Sequence, residues 1–350
     1  MTPKRVAFGA LLLAAVAVVL LVAFVITAGQ ATVPQNYKVK ISYLPVVQSL
    51  LLYNAVENHY FEDAGLDVEI VRFDNPSYIV DSLEAGSIDV AANTGTGIVG
   101  LAETMVAANT GTGIVGVAET LTPGNIKIFG FACGDLQHLN DELLTRKDDS
   151  SIKAIADLEG KSLGIIPGIQ FKTVARHILV QNGLEAEKDV KIVELAIPLQ
   201  LQALASGQVD ALLTLEPIGT IGNAKGISQV FVANPMVKYI ADPWCGAAFS
   251  ISTKFLKEHP VEARKIISVL TRSVDEINTN PEKARKFLPK YTGMSDEIAE
   301  KVPFPIFVTY KELDGHIEAA QKFLDIFYDL GVVSKRPNAN AMILTDRDLE

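Results

Sequence analysis

Cysteine is almost missing from this chain, and the two present, Cys133 and Cys245, have no CxxC spacing. That excludes a zinc ribbon and a thioredoxin-like redox motif. Histidine is nearly as sparse: His59, His138, His177, His259 and His316 are scattered without the spacing of metal ligands. No HExxH, GxSxG or P-loop occurs, so neither a metalloenzyme nor a hydrolase is supported. Positive charge is short as well, with 31 Lys and Arg against 41 Asp and Glu and a formal net charge of -10. Residues 1–31 hold Lys4 and Arg5 and no acid, so the remainder is more acidic still. A surface of that sign repels phosphate backbones and argues against nucleic acid as a partner. The acid pairs Glu62-Asp63 and Asp148-Asp149 fall in polar stretches and read as solvated.

What is present is the composition of a folded protein, 49% hydrophobic and 21% charged, in 350 residues, enough for two domains. Lys4 and Arg5 precede an uncharged apolar run from Val6 to Ala28. Spanning a bilayer takes about 20 such residues, so residues 1–31 read as an uncleaved signal anchor, a transmembrane helix. With Gly29-Gln30-Ala31 as a cutting site they read instead as a cleaved signal peptide. Either way the positive charges stay inside and everything after Ala31 is exported, to an extracytoplasmic place at the membrane or free in the periplasm. No cysteine stands near the end of the run, which excludes a lipoprotein anchor.

From Tyr37 onward, strand-like runs alternate with amphipathic stretches, the pattern of βαβ units and parallel sheets. Strands are expected at 37–44, 66–73, 88–92, 126–132, 143–146, 162–166, 190–195 and 211–215. Helices are expected between them at 48–60, 76–85, 173–181 and 199–205. From Pro260 the spacing is helical almost throughout, and residues 336–350 form a polar, loosely ordered tail. Residues 90–105 recur nearly unchanged at 106–121, a tandem duplication too few-fold for a solenoid. Each copy carries a GxGxxG, at Gly95, Gly97, Gly100 and at Gly111, Gly113, Gly116. It follows the third strand rather than the first, which disfavours a dinucleotide turn and leaves a ligand-facing glycine loop or a plain tight turn. No cofactor is expected.

Several phrases together carry a resemblance over residues 38–330: KVKISYLPVVQSLLLYNAVENHYFEDAGLDVEIVRF, SLEAGSIDVAA, IKAIADLEGKSLGIIPG and LQALASGQVDALLTLEP. They resemble the nitrate/sulfonate/taurine and thiamine-precursor family of ABC-transporter substrate-binding proteins. The resemblance implies an α/β fold of two doubly wound lobes joined by crossover strands, type II periplasmic-binding-protein-like. Lobe 1 is then residues 36–132 with 240–335, and lobe 2 is residues 133–239. It also implies an extracytoplasmic solute-binding monomer that captures a small molecule between its lobes and delivers it to ABC permease and ATPase subunits. A thiamine-pyrimidine-synthase-like enzyme of the same fold is an alternative, although the cysteine-rich motif of those enzymes is absent. A ligand-sensing ectodomain is the other.

Open sheets bind ligands beyond the C-terminal ends of parallel strands, which selects five loops: Tyr43–Ser49, Asn93–Gly97 or its copy Asn109–Gly113, Gly168–Thr173, Glu216–Thr220 and Asp242–Cys245. In them Tyr43, Phe171 and Trp244 are candidate apolar walls. Gln48, Ser49, Asn93, Thr94, Thr96, Gln170 and Thr173 offer neutral hydrogen bonds, and Glu216 completes the candidate ligand-binding set. Capping and turn-making explain the polar residues equally well. Lys172 is the lone cation of these loops, which favours a neutral or aromatic solute over nitrate or sulfonate. Cys133 and Cys245 flank the lobe junction, where export permits a disulfide and geometry decides it.

Overall fold

The computed structural model describes residues 37–95, 124–313 and 315–350. The expected membrane helix in residues 1–31, Thr96, and every glycine of the two GxGxxG motifs except Gly95 lie outside that range. Among the described residues, no helix is long and apolar enough to cross a membrane.

Two mixed sheets form the frame. The first is six-stranded, in the order β11-β4-β10-β3-β1-β2, and the second is five-stranded, in the order β7-β6-β8-β5-β9. The first holds β1 (Lys38–Tyr43), β2 (Asp67–Arg72), β3 (Val90–Gly95), β4 (Ile126–Gly134), β10 (Trp244–Ser252) and β11 (Ile306–Thr309). The second holds β5 (Asp141–Arg146), β6 (Ser162–Ile165), β7 (Lys191–Glu194), β8 (Ala211–Leu215) and β9 (Ser228–Ala233). The alternation seen in β1, where Val39 and Ile41 are buried while Lys38 and Lys40 are exposed, is the period-2 pattern that marks a strand.

The expectation of parallel sheets needs correction. β1 pairs parallel with β2 and β3, and β6 with β7 and β8, but β10 runs antiparallel to β3 and β4. β11 is likewise antiparallel to β4, and β5 to β8 and β9. The reason is topological. The chain leaves the first sheet along β4 and returns along β10, so these neighbours must run in opposite senses.

The helical expectation after Pro260 is also incomplete, because β11 interrupts it. The principal helix there, Pro260–Thr279, opens on a proline at its first turn and buries Ala263, Ile266, Ile267, Leu270, Val274 and Ile277 along one stripe. It packs on the helix Leu50–Glu57, where Ser273 Oγ donates to the Leu51 carbonyl at 2.7 Å. The C-terminal residues are not the loose tail expected. Met342 and Leu344 are buried, and the Leu344 amide donates to the Ile128 carbonyl of β4 at 2.8 Å.

Cys133, near the end of β4, and Cys245, near the start of β10, form a disulfide across 112 positions of sequence. Closing so long a loop removes much of the entropy of the unfolded chain. Thiol titration of the unfolded, unreduced protein should find no free cysteine, whereas two titratable thiols would exclude the bond. A Cys133→Ala/Cys245→Ala double variant should lose about 2–5 kcal/mol of stability in denaturant unfolding.

Candidate functional site

The two sheets approach each other at the C-terminal ends of β1, β3, β6 and β8. Hydrogen bonds cross between them at three places around these strand ends. The Val47 amide donates to the Glu216 carbonyl at 3.3 Å, Gln48 Nε2 to Asn140 Oδ1 at 2.5 Å, and Gln170 Nε2 to the Gly246 carbonyl at 3.1 Å. Gly168 lies so close to the other side that a β-carbon there would stand 2.5 Å from Ser77 Oγ. Its φ of 114° also favours glycine, so the turn that opens the helix Ile169–Gln181 depends on this residue.

Between the sheets lies a narrow, nearly closed cleft with a cavity volume of about 10 Å³. Leu44, Pro76, Ile166, Phe171, Leu215 and Trp244 form its apolar walls, Gln48, Asn93, Asn140 and Gln170 are its polar side chains, and Gly95, Gly246 and Ala247 complete the lining. Four buried atoms of these residues have no hydrogen-bond partner among the described residues: Gln48 Oε1, Asn93 Nδ2, Asn140 Nδ2 and Trp244 Nε1. Leaving such groups unpaired costs about 1–3 kcal/mol each, so the arrangement is unusual unless something binds there. The bonded Gln48–Asn140 amide pair presents one donor and one acceptor whichever way the two amides are turned, and the Trp244 indole is a donor only.

Of the residues expected from sequence, Gln48, Asn93, Gln170, Phe171 and Trp244 come together on this lining. The others do not. Tyr43 packs edge-on against Tyr53 and Tyr291 at 5.5 and 5.9 Å. Ser49 is buried at the start of the helix Leu50–Glu57. Thr94 alternates away from its neighbour Asn93, and its hydroxyl lies 3.1 Å from the Ala248 carbonyl and 2.8 Å from Ser250 Oγ. Thr173 donates to the Ile169 carbonyl within its own helix. The Glu216 carboxylate accepts from Thr220 Oγ1 at 2.9 Å.

Asn140 was not anticipated. It ends the crossing from β4 to β5, where no periodic pattern draws attention to a lone polar residue. Also unanticipated are Asp141 and Glu142 next to it, which with the expected Glu216 make a buried acidic group. Asp141 Oδ1 accepts from the Met236 amide at 3.0 Å, and burial pushes its carboxyl up to about 7. Burial likewise holds Glu142 and Glu216 above the ordinary carboxylate range, Glu142 further because the Glu216 charge stands beside it. A carboxyl pair of this kind retains a proton near neutral pH. Its space is tight: a β-carbon at Gly219 would overlap Glu142 Oε2.

Comparison with known proteins places this cleft in context. A family model described as NMT1/THI5 like matches residues 47–284. A Brucella abortus (strain 2308) protein that carries the name of a binding protein is 25% identical over 238 residues, 68% of this chain. The chain spans 66% of the length of that relative. The 4-amino-5-hydroxymethyl-2-methylpyrimidine phosphate synthase THI13 of Saccharomyces cerevisiae is 20% identical over 262 residues, covering 70% of this chain and 68% of that one. Among solved structures, the alkanesulfonate-binding protein SsuA from Xanthomonas axonopodis pv. citri bound to MOPS superposes with a TM-score of 0.67 at 18% identity. That match covers 88% of this chain and 98% of that one, and it establishes a shared fold.

The acidic group sets a pH dependence whose sign is definite. Where the folded state raises a carboxyl above its unfolded value, the native protein binds the extra proton, so stability is greatest below the unfolded pKa and declines as pH rises through the folded one. For Asp141 that window runs from 3.8 to about 7. The melting temperature should therefore fall between about pH 5 and about pH 8, and Glu142→Gln should flatten the slope by roughly 1.4 kcal/mol for each unit of raised pKa it removes. A slope unchanged by Glu142→Gln would show that the carboxyl pair is not its source.

Proposed function

Because the chain belongs to the NMT1/THI5-like family, we propose that it is an extracytoplasmic binding protein that captures a small uncharged solute and passes it to an ABC permease with its ATPase. In this reading residues 36–132 with 240–335 form one lobe of a clamp and residues 133–239 the other. The solute binds the closed form better than the open one, and that difference in affinity drives closure. Residues 1–31 hold the protein at the membrane or are removed after export, and the protein works as a monomer. The disulfide fits an oxidising compartment.

The observation that carries the proposal is the set of four unpartnered polar atoms on one apolar-walled cleft between the two sheets. A solute offering both a donor and an acceptor on one edge satisfies them, and its apolar body is covered by Phe171, Leu215 and Trp244. Charge favours a neutral solute. No lining residue is a cation, Lys172 is bonded to Glu194 at 2.7 Å, and Arg72 to Asp74 at 2.9 Å. Residues 96–123 contain no Lys, Arg or His, so they supply no counter-ion either. Among the described residues the lining contains no Asp, Glu, His, Cys or Lys, which favours binding over proton transfer or nucleophilic attack.

A thermal-shift panel on residues 32–350 tests this, with nitrate, bicarbonate, taurine and other sulfonates set against pyrimidine thiamine precursors, riboflavin and NAD. A solute at a hundredfold excess over its Kd should add roughly 2.7 kcal/mol, several degrees in melting temperature. We expect a response to a neutral compound and none to the anions, with the response lost in Asn140→Ala and Trp244→Phe. A response confined to anions would overturn the charge argument, and one confined to NAD would overturn capture of a transported solute.

A further inference from the structure

Two crossings join the sheets, residues 134–140 outbound and 234–243 on the return. Each end of this pair is tied. At the first sheet the tie is the Cys133–Cys245 bond, next to the pairing of Gly134 with Trp244. At the second sheet the tie is Asn234. Its side chain accepts from the Asn140 amide at 3.0 Å and donates to the Asp135 carbonyl at 2.6 Å, and its own amide donates to the Asp141 carbonyl at 2.9 Å. Asn234 therefore holds both ends of the outbound crossing at once. Its φ of 45° is a left-handed conformation that asparagine tolerates better than most residues and that the surrounding bonds must maintain.

The two ties adjoin two of the cleft's unpartnered donors. Trp244 is the chain neighbour of Cys245, and Asn140 is bonded through its backbone to Asn234. Neither tie residue belongs to the cleft lining. We infer that the Cys133–Cys245 disulfide and Asn234 are positioning residues, which hold the Trp244 indole and the Asn140 amide in the places from which they face a solute. Preorganisation of this kind raises affinity by removing the cost of ordering those side chains on binding. The role of Trp244 as a cleft wall depends on the capture reading, whereas its immobilisation by the disulfide does not, so the two fail separately.

The chain has a single tryptophan, so intrinsic emission reports Trp244 alone. The test compares emission maximum and acrylamide quenching in the wild type, in Cys133→Ala/Cys245→Ala, and in Ser273→Ala, which loses a buried bond to Leu51 far from the crossings. With far-UV circular dichroism native in all three, the double-cysteine variant should emit at longer wavelength and quench more readily. Ser273→Ala should lower the melting temperature with emission unchanged. Should the double variant not fold, the folded wild type reduced by a phosphine, with thiols counted, should show the same emission change. Unchanged emission and quenching once the bond is absent, or an equal change in Ser273→Ala, would reduce the disulfide to general stabilisation and overturn its role. For Asn234 the readout is amide exchange of residues 134–141. Exchange should quicken in Asn234→Gly, which permits the backbone conformation but removes the ties, and should be partly restored in Asn234→Asp, which keeps the acceptor for Asn140. Equal exchange in all three proteins would overturn the role of Asn234.

Discussion

The antiparallel pairing of β4 with β10 is the contact on which the rest of this structure depends. These strands carry the chain away from the first sheet and back to it, and among the described residues it crosses nowhere else. Because they lie side by side and are covalently bonded, both crossings join the first sheet at one place. The cleft follows from that geometry. Its walls come from loops at strand ends of both sheets, and two of its unpartnered donors, Asn140 and Trp244, sit where the two crossings end.

Much of this was legible in the sequence, and the exceptions have physical causes. β1, β2, β3 and the parallel core of the second sheet announce themselves as apolar runs separated by helical spacing. β10 does not, because WCGAAFSIS mixes small residues of low strand propensity with bulky ones and is buried along its whole length. Neighbouring strands make it a strand. β11 is four residues long in a helical region, too short for periodicity to register. β9 is absent from the expected strands although Val230, Phe231 and Val232 have high strand propensity. The C-terminal helix 339–342 reads as polar, yet a few apolar side chains docked on β4 suffice to order it.

The site divides along the same lines. Gln48, Gln170 and Phe171 lie just beyond parallel strands and Asn93 near the end of β3, where the rule of open sheets places ligand contacts, and that rule located them. It failed where it did not specify orientation. Thr94 and Asn93 are adjacent in one strand and necessarily point to opposite faces, and Tyr43 is drawn into an aromatic cluster with Tyr53 and Tyr291. Asn140 precedes the antiparallel strand β5, and Asp141 and Glu142 open it, where the rule does not apply. Their burial depends on Gly219, Met236 and Asn234, residues some 80 to 100 positions away.

The bond between Cys133 and Cys245 has one more consequence. It makes a covalent ring of everything between those residues, and all five strands of the second sheet lie inside it. A protease that nicks any exposed loop of the ring leaves one molecule, not two fragments, and the cut halves remain tethered at the junction where they must reassemble. The ring thereby turns a single cleavage from loss of the second sheet into a local scar.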